Sequence, residues 1–267
     1  MRLAHLADIH FGAADPKVLE AAARHIEQAA PHAVVVAGDL TQSGKRSEFD
    51  AARQWLLDLG LPCACIPGNH DTPMFQLHHR LLRPFARYEK RLSEFAFPLR
   101  AGGIHVDGLN TARGWQARHN WAEGSVHLGD LEELVSAPAK AAVRLLACHH
   151  PFISPTGAPL QTATRRGQRA SKRLAGSPVQ VLLTGHVHAP QVEIIQGPEG
   201  AYVSVTSGTL SMRLRDVPPS FNILDFDGDV MTVSALMYAG NAFSGKIRSA
   251  WDIARMEQLQ PPGVVSS

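Results

Sequence analysis

Five short polar clusters hold the groups in this chain that could do chemistry. They are Asp8-Ile9-His10, Gly38-Asp39, Gly68-Asn69-His70-Asp71, His149-His150-Pro151 and Gly185-His186-Val187-His188. Carboxylates, a carboxamide oxygen and imidazoles together suit borderline divalent cations such as Mn, Fe, Zn or Co. None of the clusters contains a cysteine, which argues against a structural thiolate zinc site. Taken singly, each is weak. The Gly-Asp dipeptide recurs at Gly129-Asp130 and Gly228-Asp229, where it reads as a helix start and a turn. A lone Asp or His at the end of a strand is more often a cap than a ligand.

The five share a setting. Each directly follows an apolar run that reads as a buried strand: residues 3–7, 33–37, 63–66, 143–148 and 179–184. Ligand crevices of open α/β sheets form outside the carboxyl ends of the strands, so five strand ends can converge on one crevice. Period-two geometry, continued past the strands, would put Asp8 and His10 on one face, and likewise His186 and His188. The glycines at 38, 68 and 185 are expected to give sharp exits.

The elements between the clusters alternate. Asp15-Pro16 reads as an N-cap followed by proline at the first helical position, opening a helix to about residue 30. Ser47 reads as the cap of a second helix whose inner face carries Phe49, Ala52, Leu56 and Leu59. Residues 73–97 read as helical but broken at Pro84, 104–109 as a strand and 130–136 as a short helix. After residue 190 the pattern turns to strands (192–195, 201–205, 221–226 and 230–237) joined by Gly-Pro and Asp-Gly turns. The early βα alternation and the later β-rich sequence predict an α/β fold of two packed, mixed sheets covered by helices. The expected organisation is one domain over 1–240 and a loosely held tail over 241–267 that ends in PPGVVSS.

Composition narrows the function. The chain has 267 residues, 45% hydrophobic and 19% charged, with a formal net charge of +2. That balance marks neither nucleic acid nor a membrane as an obligate partner. The three cysteines, Cys63, Cys65 and Cys148, lie in apolar runs without CxxC spacing and read as free thiols. No uncharged apolar stretch is long enough to span a bilayer. The expectation is a cytoplasmic protein, with a homo-oligomer left open. Histidines outside the clusters, including His78, His79 and His119, read as structural or surface residues.

The ordered series DxH, GD, GNHD, HxP and GHxH resembles the calcineurin-like metallophosphoesterases, and the GNHD form and chain length are most similar to their bacterial class III cyclic nucleotide phosphodiesterases. The resemblance implies a four-layer αββα sandwich and two divalent metal ions per chain (Mn, Fe or Zn). It implies that Asp8, His10 and His188 bind one metal, that Asn69, His149 and His186 bind the other, and that Asp39 bridges them, with His150 behind His149. His70 binds no metal and faces the leaving group of the substrate.

In such a site a metal-bridging hydroxide is the expected nucleophile. His70 is the candidate general acid, oriented and kept protonated by Asp71. Asn69 supplies an oxygen without adding charge. The motif segments contain no arginine, which favours a singly charged phosphodiester over a monoester dianion. Asn110, Arg113 and the basic stretch Arg165, Arg166, Arg169, Lys172 and Arg173 are the cationic or polar groups that could still reach substrate. The expected activity is hydrolysis of a small anionic phosphodiester, a 3′,5′-cyclic nucleotide such as cAMP. The competing readings are nucleotide-sugar or lipid-precursor pyrophosphates, glycerophosphodiesters, phosphomonoesters, or a non-catalytic scaffold.

Overall fold

The computed structural model describes residues 1–117, 120–138 and 140–260, and within these not the side chains of 246–248. His119 and the closing PPGVVSS lie outside the described residues.

Strand β1 (Arg2–Leu6) leads to α1 (Pro16–Ala29) and β2 (Ala33–Val36). The Asp15 carboxylate accepts the Lys17 amide at 2.9 Å and Pro16 opens the helix, as the sequence dictates. The chain leaves α1 through Ala30 in the left-handed region, φ 45°. Helix α2 (Arg46–Asp58) precedes β3 (Cys63–Cys65). It begins one residue before Ser47, because the Glu48 carboxylate accepts the Ser43 and Lys45 amides at 2.8 and 3.2 Å and does the capping from inside the first turn. Phe49, Ala52 and Leu56 are its buried apolar residues, Glu48 is buried beside them, and Leu59 is partly buried.

The broken helical region is α3 (Leu77–Leu82) and α4 (Ala86–Leu92), followed by β4 (Leu99–Ala101), β5 (Ile104–Gly108), α5 (Leu128–Ser136), β6 (Val143–Ala147), α6 (Gly167–Ala175) and β7 (Val181–Thr184). Six strands complete the chain: β8 (Gln191–Gly197), β9 (Gly200–Thr206), β10 (Ser220–Asp227), β11 (Val230–Ala239), β12 (Ala242–Asp252) and β13 (Glu257–Leu259).

These form a seven-stranded sheet, β13-β12-β11-β10-β1-β2-β3, and a six-stranded sheet, β4-β5-β6-β7-β9-β8. Both are mixed. β1, β2 and β3 run parallel while β10 to β13 are antiparallel. β5, β6, β7 and β9 run parallel between antiparallel edges. Leu3, Val35, Val106, Leu145, Leu183, Val203, Leu224 and Val233 fill the space between the sheets. Ala4, Leu6, Val34 and Val36 face the other way, onto Ile26, Phe49 and Leu92 of the helices. Strands covered on both faces explain why the sequence shows continuous apolar runs and not alternation. A third cluster places Leu131, Val135, Ala170 and Leu174 of α5 and α6 against the outer side of the second sheet. The αββα sandwich is therefore as expected.

The tail is not. Residues 242–252 pair with β11 along its whole length, and 257–259 extend the same sheet. Phe243, Trp251 and Ile253 are buried. A register shift at Ala235/Leu236 and neighbouring buried residues Ala250 and Trp251 break the period-two pattern that would have revealed the strand. Among the described residues no helix is long and apolar enough to cross a membrane.

Candidate metal centre

The five clusters follow the carboxyl ends of β1, β2 and β3 in one sheet and of β6 and β7 in the other. Strand geometry does not continue into them. Asp8, His10, Asp39, His186 and His188 all have positive φ, between 50° and 71°. Left-handed residues spaced two apart curl the chain into a tight cradle, and this curl, not strand pleating, brings Asp8 and His10 together. Such conformations cost about 1–3 kcal/mol each and persist only where neighbours enforce them. The enforcing bonds run between the two parallel exits: Asp8 and His10 amides donate to the Gly38 and Asp39 carbonyls at 3.0 Å. Gly38 turns the chain at φ 87°, whereas Gly68 and Gly185 contribute room. A Cβ on Gly68 would sit 2.1 Å from Asp39 Oδ1, and one on Gly185 would sit 2.5 Å from Ala7 Cβ and 2.6 Å from Asp8 Oδ2.

The side chains fall into two adjoining groups. In the first, His188 Nε2 lies 3.1 Å and His10 Nε2 3.8 Å from Asp8 Oδ1. In the second, His149 Nε2 lies 3.3 Å from Asp39 Oδ2 and 3.2 Å from Asn69 Oδ1. The His186 ring is 5.2 Å from that of His149. Asp39 stands between them, its Oδ2 also 3.7 Å from His10 Nε2. All are buried.

Hydrogen bonds fix the tautomers. A backbone carbonyl can only accept, so the Nδ1 atoms of His10, His149 and His188 carry protons given to Thr41 (3.3 Å), Ala37 (2.9 Å) and Arg213 (2.7 Å). Their Nε2 atoms then point inward as lone pairs. The carboxylates are held similarly from behind: Asp8 Oδ2 accepts the His186 amide and Asp39 Oδ1 the His70 amide, both at 2.8 Å. That leaves Asp8 Oδ1 without a hydrogen-bond donor and Asp39 Oδ2 facing the centre. Lone pairs meet lone pairs, a contact that requires a proton or a metal between them. In the protein alone a proton takes the place. Burial works against a charged His149, but the Asp39 carboxylate outweighs it and takes the imidazole up to about 9. His188 is likewise raised by Asp8 against the effect of burial. The donor set fits two borderline divalent cations.

His150 stands outside this set. Its Nε2 donates to the Ala122 carbonyl at 2.9 Å and its Nδ1 accepts from the Thr111 hydroxyl at 2.9 Å, so neither nitrogen is free.

His70 borders the centre, but its environment differs from expectation. Asp71 does not touch the His70 ring. Its carboxylate accepts the amides of Leu40 (3.1 Å), Thr41 (2.8 Å) and Gly68 (2.9 Å), and the Thr41 hydroxyl, tying the GD loop to the GNHD loop. Burial, reinforced by Asp39, pushes it up to about 7. The His70 ring is held instead by the Gln42 carbonyl at Nδ1 and by Arg213 Nη1 at Nε2, each at 2.8 Å. Its proton points to Gln42, and the N–H groups turned to the cavity are those of Arg213.

Arg213 is the residue that sequence reasoning missed, together with Arg215. With Asp39, Asn69, His70, His186 and His188 both line a cavity of about 150 Å³. They sit in the loop between β9 and β10, 25 and 27 residues past His188, beyond the carboxyl end of β9, a strand that runs parallel to β7. Arg113, chosen by that rule, is elsewhere. Its guanidinium bonds the Asn110 and Ala112 carbonyls, and the Asn110 side chain caps its own loop at the Ala112 amide. In the basic stretch, Arg166 bonds the Val126 carbonyl and Arg173 pairs with Glu132. Arg166 and Arg169 line a separate groove of about 590 Å³ that shares Thr162 with the catalytic cavity. The motif segments contain no arginine, but Arg213 and Arg215 outside them line the cavity.

Residues 1–190 match the family described as Calcineurin-like phosphoesterase. The chain is 27% identical over 235 residues to the glycerophosphodiester phosphodiesterase GpdQ of Enterobacter lignolyticus, covering 82% of this chain and 79% of that one. It is 35% identical over 49 residues to a probable cyclic nucleotide phosphodiesterase of Synechococcus, 18% of this chain and 19% of the relative. Among solved structures, yellow lupin purple acid phosphatase PPD1 has the same fold at a TM-score of 0.62 and 14% identity, over 92% of this chain and 52% of that one.

Proposed function

Because the chain belongs to the calcineurin-like phosphoesterase family and is a hydrolase of that kind, we propose that it cleaves small phosphodiesters at a centre of two divalent metals, with 3′,5′-cyclic nucleotides such as cAMP as its natural substrate class. The observation that carries the reading is the convergence of the His10, His149 and His188 lone pairs on two buried carboxylates. Asp8, His10 and His188 would hold one metal and Asn69, His149 and His186 the other, with Asp39 shared.

Bound there, such a metal pair supplies an activated oxygen nucleophile and neutralises charge on the phosphate. The protein's own part is positional. Asn69 contributes an oxygen without a second negative charge beside Asp39. Arg213, steadied by the His70 ring, offers N–H groups to a phosphate oxygen or the departing alkoxide in the cavity. The diester reading is supported by what the relatives' names say of them. The proposal includes a cytoplasmic setting, which the unpaired thiols Cys63, Cys65 and Cys148 support.

Two observations favour other esters. Similarity to GpdQ runs over far more of the chain than similarity to the cyclic nucleotide enzyme, which favours a glycerophosphodiester. Arg213 and Arg215 beside the cavity favour a dianionic monoester. One screen of the Mn-loaded protein separates them: kcat/KM for bis-nitrophenyl phosphate, nitrophenyl phosphate, cAMP, glycerophosphocholine and a nucleotide sugar. The expected result is a diester preference with turnover of cAMP to its monophosphate. A monoester preference overturns the diesterase assignment, and a diester preference without cAMP turnover moves the substrate to the glycerophosphodiesters.

A further inference from the structure

The segment from Met74 to Arg83 leaves the GNHD motif and turns almost every apolar side chain outward. Phe75 is 76% exposed, Leu82 68%, Leu77 55%, Leu81 47% and Met74 40%. Helix α3 within it buries no residue at all. It is held by polar contacts: the Met74 amide donates to the Ser43 carbonyl, and the Arg80 side chain donates from Nε to the Gly114 carbonyl at 2.8 Å. The second bond sets α3 beside the loop of Trp115, itself 52% exposed. A cluster of large apolar residues with no internal packing is a contact surface.

The charges around it say what the contact is. Residues 73–92 carry five cations, Arg80, Arg83, Arg87, Lys90 and Arg91, against one acid, Glu89. Arg46, Arg87, Lys90 and Arg91, with His79, line a concavity of about 270 Å³ beside α3, and no carboxylate is among its lining residues. Among the described residues Arg46, Arg83, Arg87 and Lys90 form no ion pair. Arg87 Nη1 donates to the Gly44 carbonyl at 2.8 Å, and Lys45 Nζ lies 5.8 Å over the Phe75 ring.

From this juxtaposition of exposed Phe75, Leu77, Leu81 and Leu82 with the cations Arg46 on α2, Arg83 at the end of α3, and Arg87 and Lys90 on α4, we propose that the α3 face docks on an anionic lipid bilayer. Apolar side chains enter the acyl boundary while arginine and lysine meet the head groups, the arrangement of an interfacial element. A second copy of the chain fits worse, because joining two such faces brings two sets of cations together. The anchoring loop, Thr41 to Lys45, also carries the carbonyl that holds His70, so a docked bilayer lies next to the catalytic cavity and would present substrates at the membrane surface.

The test is co-sedimentation of the full metal-loaded chain with vesicles of phosphatidylglycerol and phosphatidylcholine, and with phosphatidylcholine alone, at low and high salt. The comparison variants are Phe75→Ser with Leu82→Ser, and Arg83→Glu with Lys90→Glu. Binding is expected on the anionic vesicles, weakened by salt and reduced roughly tenfold or more by either pair. The thermal midpoint should stay within a few degrees of the parent, because Phe75 and Leu82 are exposed. Equal binding to both vesicle types, or unchanged binding of the variants, overturns the proposal. So does an absence of binding to the anionic vesicles; if oligomers measured by light scattering then fall apart on the same substitutions, the face joins two copies of the chain instead. Neither readout depends on which ester the enzyme cleaves.

Discussion

Arg213→Ala is the substitution whose consequence the geometry defines most sharply. It removes a guanidinium that donates to His70 Nε2 at 2.8 Å and lines the catalytic cavity. It leaves the Arg213 backbone, whose carbonyl accepts His188 Nδ1 at 2.7 Å and whose amide donates to Ser211. Metal content should therefore be unchanged. A hydrogen bond to a charged group contributes about 1.5–3 kcal/mol, so kcat/KM on bis-nitrophenyl phosphate should fall by roughly 10- to 150-fold if that bond is formed to phosphate in the transition state. His70→Ala frees the same guanidinium from its support, so the double variant should lose little more than the worse single one. Because the His70 proton faces Gln42, the loss in His70→Ala should be equal for nitrophenyl and alkyl leaving groups. The measurement is steady-state kinetics on both leaving groups, with metal counted by elemental analysis. Activity of Arg213→Ala within twofold of the parent would refute the reasoning, as would losses that multiply. A loss in His70→Ala that is larger for alkyl esters would restore the histidine as general acid.

Asp39→Ala should lower both activity and bound metal, since its carboxylate faces both ligand groups. Elemental analysis finding at most one equivalent in the parent under saturating metal would contradict the two-metal reading. Gly68→Ala sets a methyl 2.1 Å from Asp39 Oδ1, an overlap expected to cost about 1–3 kcal/mol. A calorimetric melt should show the loss of stability, and kinetics a matching loss of rate. Truncation after Gly240 removes Phe243, Trp251 and Ile253 from the core, about 1.5–3 kcal/mol each, against a total stability of about 5–15 kcal/mol. The truncated chain should lose its cooperative melt; an intact melt would show that β12 is dispensable.

The ligand positions were legible because the donor types are unusual at strand ends and five of them recur in order. Residue type and position after strand ends pointed to the five clusters, and the family resemblance supplied Asp8, His10, Asp39, Asn69, His149, His186 and His188 as the candidate ligands within them. What sequence could not give was direction. Asp71 neighbours His70 in sequence, but its side chain turns to the Leu40, Thr41 and Gly68 amides. Arg113 and Arg213 both follow strand ends, those of β5 and β9, yet the Arg113 guanidinium bonds its own loop while Arg213 lines the cavity. Long flexible side chains are placed by the tertiary fold, and periodicity carries no information about them. The strand over 242–252 was missed for another reason: a bulge in its partner and buried side chains at successive positions erase the alternation that identifies strands.

The left-handed backbone at Asp8, His10, Asp39, His186 and His188 bears on how the ligand loops are held. These conformations are enforced by amide–carbonyl bonds such as Asp8 to Gly38 and His10 to Asp39, and the imidazoles are aimed by carbonyls of the fold itself. The backbone of the cradle is therefore held by bonds within the polypeptide, between the exits of neighbouring strands. Because those bonds join the exits of β1 and β2 directly, loosening either loop would shift Asp8, His10 and Asp39 together.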